Sequence, residues 1–277
     1  MARRSKKRAR KKPGPDYRDI LKRIHPVANF EPEGKVVLYG KAGKGKTTLA
    51  CSFPKPILLL DVKEKGTDSV RDQKNIDAIR VENWGDLDML YWYLKKDNHK
   101  YKTFVWDTTS QLQRLCIENV LEEHNVEGEP GWWGTMSKRD WGKVSTQLSH
   151  AILDWRDLKM NGVFIAHDRV FEGVENEDDE EEGLIEPSVG PNLIPSVVNV
   201  LNAAVGVIGN TFVRERIKEI KIKGKKKKKT KKVLEYCLRV GPHAYYITKI
   251  RNPKKFKVPQ VIVDPTYKKI LRVITGE

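Results

Sequence analysis

Gly40-Lys41-Ala42-Gly43-Lys44-Gly45-Lys46-Thr47 follows the apolar run Val36-Val37-Leu38-Tyr39 and precedes Thr48-Leu49-Ala50. The spacing is that of a G-x-x-x-x-G-K-[ST] phosphate-binding loop, set between a strand and a helix as its chemistry requires. Glycines let successive backbone N–H groups curl around phosphates, and the helix that opens at Thr47 and Thr48 offers unpaired N–H groups and a positive dipole end. In such a loop Lys46 reaches the β- and γ-phosphates and Thr47 ligates Mg²⁺ through its hydroxyl. The stretch therefore predicts an α/β fold that binds a nucleoside triphosphate with Mg²⁺ at the end of its first strand.

Working outward, Ile57-Leu58-Leu59-Leu60 lacks polar alternation, as a strand covered on both faces does, and it ends at Asp61. Ala78 to Glu82 reads as a short strand and Asp86 to Lys95 as a helix. Thr103 to Asp107 is an apolar strand ending in a carboxylate, followed by a helix through Leu112, Leu115, Cys116 and Val120. A long helix fits 138 to 160, with apolar positions at Trp141, Val144, Leu148, Ile152 and Trp155, and it delivers the chain to the strand ending at Ala166-His167. Strands alternating with helices imply a mostly parallel, doubly wound sheet. From about residue 203 the pattern changes to Val205 to Ile208, then 211 to 222, 233 to 240 and 244 to 251, read as an antiparallel β extension. A strand at Val261 to Val263 and a helix from about 265 close the chain.

Charge is unevenly placed. The 277 residues carry a net charge of +16, but eight cations lie between Arg3 and Lys12 and a lysine-rich turn spans 218 to 232. An acidic block of opposite sign occupies 172 to 186. Like-charge blocks of this kind stay solvated, so the expected organisation is a disordered basic arm over 1–15 and one domain over 16–277 bearing both charged loops. The two basic segments suit counterion release from nucleic acid. The acidic block either masks the lysine turn when DNA is absent or faces solvent elsewhere, and both readings stay open at this point. Cys51, Cys116 and Cys237 lack the spacing of a zinc site or a disulfide framework. No run approaches the roughly 18 to 20 apolar residues of a membrane span, and a cytoplasmic protein with no membrane partner is expected.

The partners of the phosphate loop decide what is done with the phosphate. Asp107, at the end of a buried strand, is the candidate to hold the Mg²⁺ shell beside Thr47. Glu64, with Asp61 as the alternative, is the candidate to activate water, because strand ends converge on the γ-phosphate in such sheets. His167 ends the strand beside that of Asp107 and is the candidate γ-phosphate sensor. In Tyr246 to Arg251 the period of two sets Lys249 and Arg251 on one face, able to reach one anion.

The phosphate loop, the strand-ending Asp107, the strand ending in Ala166-His167 and the late Lys249-Ile250-Arg251 followed by Pro253 and Val258-Pro259 resemble the RecA-like P-loop ATPases of phages, the recombinase and single-strand-annealing group. The resemblance covers roughly residues 33 to 275. It implies a homo-oligomeric ring or filament with ATP at the subunit interface, where Lys249 and Arg251 reach a neighbour's nucleotide. It further implies binding of single-stranded DNA through loops after the Asp107 helix and after His167, the first carrying Trp132, Trp133, Lys138 and Arg139. The family places its catalytic glutamate directly after the strand aspartate, whereas Val62 and Lys63 intervene here. A helicase or packaging motor and a small-molecule kinase share the same phosphate loop and stay open at this point.

Overall fold

Val36 to Tyr39 form the middle of β1 (Lys35–Tyr39), buried along its whole length. A computed structural model of the chain describes residues 21–22, 24, 26, 34–96, 98–122, 136–172, 187–221, 228–253 and 256–276, with side chains omitted for 218–221 and 228–231. It divides into residues 1–32 and a body of residues 33–277. The basic arm, Trp132 and Trp133, nearly all of the acidic block and the tip of the lysine turn lie outside the described residues.

Five further strands join β1 in the parallel layer. They are β2 (Ile57–Asp61), β3 (Ile76–Arg80), β4 (Thr103–Asp107), β5 (Asn161–Ala166) and the first residues of β8 (Val207–Lys221). Parallel ladders pair β8 with β1, β1 with β5, β5 with β4, β4 with β2 and β2 with β3. Val36, Leu38, Leu59, Val105, Val163 and Ile165 face one apolar core, and Val37, Tyr39, Leu60, Trp106 and Phe164 face the other. Burial on both faces explains the unbroken apolar runs, since neither side of these strands meets water.

Helices cover both faces. On one lie α2 (Trp84–Lys95), α3 (Thr109–Glu122), α4 (Lys138–Arg156) and α5 (Pro195–Ala204); the other is covered by α1 (Lys46–Ala50) and α6 (Tyr267–Thr275). Capping boxes start α2 at Asn83 with Asp86 and α4 at Ser137 with Asp140. Asp140 takes the buried position of the first turn of α4, and Trp141, expected in the core, is 42% exposed. The helix stops at Arg156, short of the expected 160, because Leu158 and Met160 turn their carbonyls to the buried Lys35 ammonium at 2.9 and 2.7 Å. The sequence reading passed over α5, whose valines mimic a strand; Pro195 begins it and Val197, Val198, Leu201 and Ala204 are buried.

The late antiparallel extension exists with two corrections. Residues 207–210 belong to the parallel layer against β1, and only then does β8 pair antiparallel with β9 (Lys228–Arg239), from Asn210↔Arg239 outward. Residues 244–248 are not a strand; the expected run shrinks to β10 (Lys249–Ile250) on β8. Two short strands, β6 (Asp168–Phe171) and β7 (Ser188–Pro191), make a separate hairpin directly after His167. The last strand, β11 (Val261–Val263), pairs with β9. Observed β3 also lies two residues earlier than expected.

Candidate nucleotide site

The loop between β1 and α1 takes the shape its glycines allow. Gly43 and Gly45 have φ of 71° and 79°, and a side chain on Gly43 would meet nothing within 4 Å, so open space lies over the loop. Lys46 is only 7% exposed, and its ammonium donates to the Gly40 and Lys41 carbonyls at 2.7 and 2.9 Å. Burial lowers its pKa, with Asp107, Asp168 and Glu64 pulling the other way. These bonds hold the lysine beside the loop, where arriving phosphate oxygens would replace the carbonyls.

Thr47 Oγ1 donates to Asp107 Oδ2 at 2.7 Å, across β5, which lies between β1 and β4. Burial raises the Asp107 carboxyl, and the neighbouring Asp61 adds to the rise against the Thr47 bond and Lys46. Gly66 packs on this carboxylate so closely that a Cβ there would come 2.5 Å from Oδ2. A hydroxyl and a carboxylate in contact beside a phosphate loop form a donor set suited to Mg²⁺, which binds through one or two carboxylates and substrate phosphates. Among the described residues no cluster of three or more His, Cys, Asp or Glu could hold a metal alone.

Glu64 reaches the same cavity. Its neighbours Lys63 and Lys65 are both left-handed, with φ of 58° and 53°, and this double turn swings Glu64 inward despite the two residues separating it from Asp61. Glu64 Oε1 accepts from His167 Nε2 at 2.8 Å and from Gln111 Nε2 at 2.9 Å. Burial pushes the Glu64 carboxyl up, but these two bonds, with the charge of Lys46, outweigh it and hold the pKa below the ordinary value. Asp61 is not a wall of the cavity: it is 2% exposed, beneath the 3-10 turn Gly66–Val70, with Thr67 Oγ1 at 3.5 Å from Oδ2.

The cavity of about 790 Å³ is lined on one side by Ala42 to Leu49, Glu64, Asp107 and His167, and on the other by Thr211, Tyr236 and Asp264 to Thr266. Such a volume suits a ligand of nucleotide size. Gln111, Tyr236 and the Asp264 turn were not anticipated. Gln111 had one usable signal, its place four residues after Asp107 on the first turn of α3; Tyr236 and Asp264 had none.

Lys249 and Arg251 lie elsewhere. They donate to the Asn202 and Ala203 carbonyls at the C-terminal end of α5, so they do share a face, but neither lines the cavity of their own chain. Lys138 and Arg139 are exposed at the start of α4.

A phosphate loop on the first strand, an acid two strands away and helices on both faces of a mixed sheet define a P-loop NTPase fold. The chain belongs to the AAA domain family, which matches residues 33–252. That membership carries an ATPase domain architecture and, in general, binding of ATP with Mg²⁺. No curated protein matches the chain. Two solved structures are similar: a KaiC-like protein from the hyperthermophilic archaeon Pyrococcus horikoshii OT3 and the flagellar accessory protein FlaH from Methanocaldococcus jannaschii. The first is 12% identical, with 84% of this chain and 91% of that one covered and a TM-score of 0.36. The second is 11% identical, with 89% and 95% covered and a TM-score of 0.35. Among the described residues no helix is long and apolar enough to cross a membrane.

Proposed function

We propose that the protein is a RecA-like, DNA-binding ATPase that works as a ring or filament in phage recombination, single-strand annealing or repair, hydrolysing ATP between subunits. The observation that carries the hydrolytic part is Glu64, an ionised carboxylate on the wall that also bears Lys46 and Asp107 and fixed by two hydrogen bonds. A carboxylate so placed can accept the proton of a water attacking the γ-phosphate. The amides of the loop and Lys46 would hold the triphosphate, and Thr47 and Asp107 would hold Mg²⁺. Bound there, the ion would offset the negative charge of the phosphates. His167 joins the γ-phosphate end of the cavity to the β6–β7 hairpin that follows it, so loss of phosphate can be relayed there through the Glu64 bond. Tyr236, packed on Gly45, and Asp264 to Thr266 line the rest of the cavity, where the base and ribose would lie.

Two observations support a site shared between copies. Among the described residues no arginine lines the cavity. Beside Tyr236, on the same face of the β8–β9 ribbon, Ile217 and Leu234 are 64% and 62% exposed, flanked by the Lys232–Glu215 ion pair at 3.5 Å. A neighbour resting on that surface could bring Lys249 and Arg251 to the phosphates.

Release of phosphate from ATP, measured with and without single-stranded DNA, tests the reading. Turnover stimulated by DNA and abolished by Lys46→Ala is expected. Phosphate transfer to a small acceptor, or no turnover with DNA present, would overturn it.

A further inference from the structure

The β8–β9 ribbon has a second face, turned away from the nucleotide. Directly opposed residues of an antiparallel pair share a face. The register Asn210↔Arg239, Phe212↔Cys237, Arg214↔Glu235 and Arg216↔Val233 therefore groups Phe212, Arg214, Arg216 and Arg239, opposite to Thr211 and Tyr236. Arg214 lies 3.1 Å and Arg216 3.8 Å from the Glu235 carboxylate, which is 3% exposed. Two guanidinium groups over one buried carboxylate leave positive charge, and the contact fixes their positions. Arg239 lies 4.5 Å from the Phe212 ring centroid and 3.8 Å from that of Tyr246.

Tyr246 belongs to the connection between β9 and β10, where His243 Nδ1 accepts from the Tyr245 and Tyr246 amides. Backbone bonds tie this connection to Val189 of β7. Tyr245 is left 48% exposed and Arg169 of β6 is exposed too. Residues 207–240 contain thirteen Lys and Arg against three Glu. The lysine turn carries no aromatics in sequence, but the fold brings rings to the opposite end of the ribbon that bears it.

Cations attract any polyanion, whereas an exposed ring such as Tyr245, next in sequence to the Tyr246 that Arg239 covers, stacks only on bases whose faces are free. A duplex hides those faces. We infer that this surface, with Arg214 and Arg216 on the phosphates and Tyr245 on the bases, binds single-stranded nucleic acid. The inference rests on the DNA-binding reading above and gives it a location.

The test is anisotropy of a labelled oligo-dT with the full chain over a series of salt concentrations. The lysine turn supplies salt-sensitive affinity by itself, so the uncharged change Tyr245→Ala decides. It should weaken oligo-dT binding about 5- to 100-fold, with Tyr245→Phe close to wild type. Arg216→Ser should flatten the salt slope by about 0.7. All three should bind ATP normally. If Tyr245→Ala binds oligo-dT like the wild type, this surface is refuted while DNA binding stands. If the wild type binds no nucleic acid, both readings fall.

Discussion

Glu64 and His167, 103 residues apart, are joined by a 2.8 Å hydrogen bond that ties the end of β2 to the end of β5 over the strand of Asp107. With Gln111 as its second donor, the carboxylate is held ionised on the wall of the cavity. A base must be both charged and fixed in place, and these bonds supply both conditions for the role proposed for Glu64.

Glu64→Gln keeps the size and loses the base. Turnover should fall about 10²- to 10⁴-fold with ATP affinity nearly unchanged, read from steady-state kinetics and calorimetry. A fall in affinity with normal turnover would assign Glu64 to binding instead.

The pH dependence has a fixed sign. A carboxyl lowered from 4.5 by native hydrogen bonds contributes stability that is complete above 4.5 and lost as pH falls through the lowered value. In thermal melts from about pH 6 to about pH 3, the advantage of wild type over Glu64→Gln should therefore shrink toward the acid end. An advantage that grew in acid would contradict the bonding seen here.

Asp107 is a charge that burial disfavours. Without nucleotide and Mg²⁺, Asp107→Asn should melt at the same temperature as wild type or higher, because a buried charge that desolvation and Asp61 disfavour is gone while the Thr47 contact can persist. The same variant should lose the Mg²⁺ dependence of ATP binding, measured by titration.

Arg251→Ala separates a neighbour's site from a local cap. Loss of its bond to the Ala203 carbonyl should cost about 0.5–1.5 kcal/mol of stability. A role in the neighbour's site predicts in addition a large drop in turnover with ATP binding intact, and normal turnover would leave only the cap.

Removing residues 175–182 takes away seven of the acidic side chains in the block between β6 and β7. Affinity for single-stranded DNA at low salt should rise, since like charges near the nucleic acid oppose counterion release. Unchanged binding would dismiss the masking role.

The strands of the parallel layer were legible because burial on both faces leaves an unbroken apolar run, as at Ile57 to Leu60. Helix α5 was not, since Val197, Val198 and Val200 carry a strand preference that packing against the sheet overrides. Residues 244–248 erred the other way: their β-like composition serves a connection shaped by His243 and by the pairing of Tyr246 with Arg239.

By itself the chain determined what is local: a phosphate loop whose eight residues are consecutive, and an acid and a histidine at the ends of recognisable strands. Tertiary structure alone decided that β5 lies between β1 and β4, that Gln111 and His167 meet on Glu64, and that Tyr236 and Tyr246 stand on opposite sides of one ribbon. Those relationships depend on strand order and register, which come from packing between segments far apart in the chain, and no short stretch of residues encodes them.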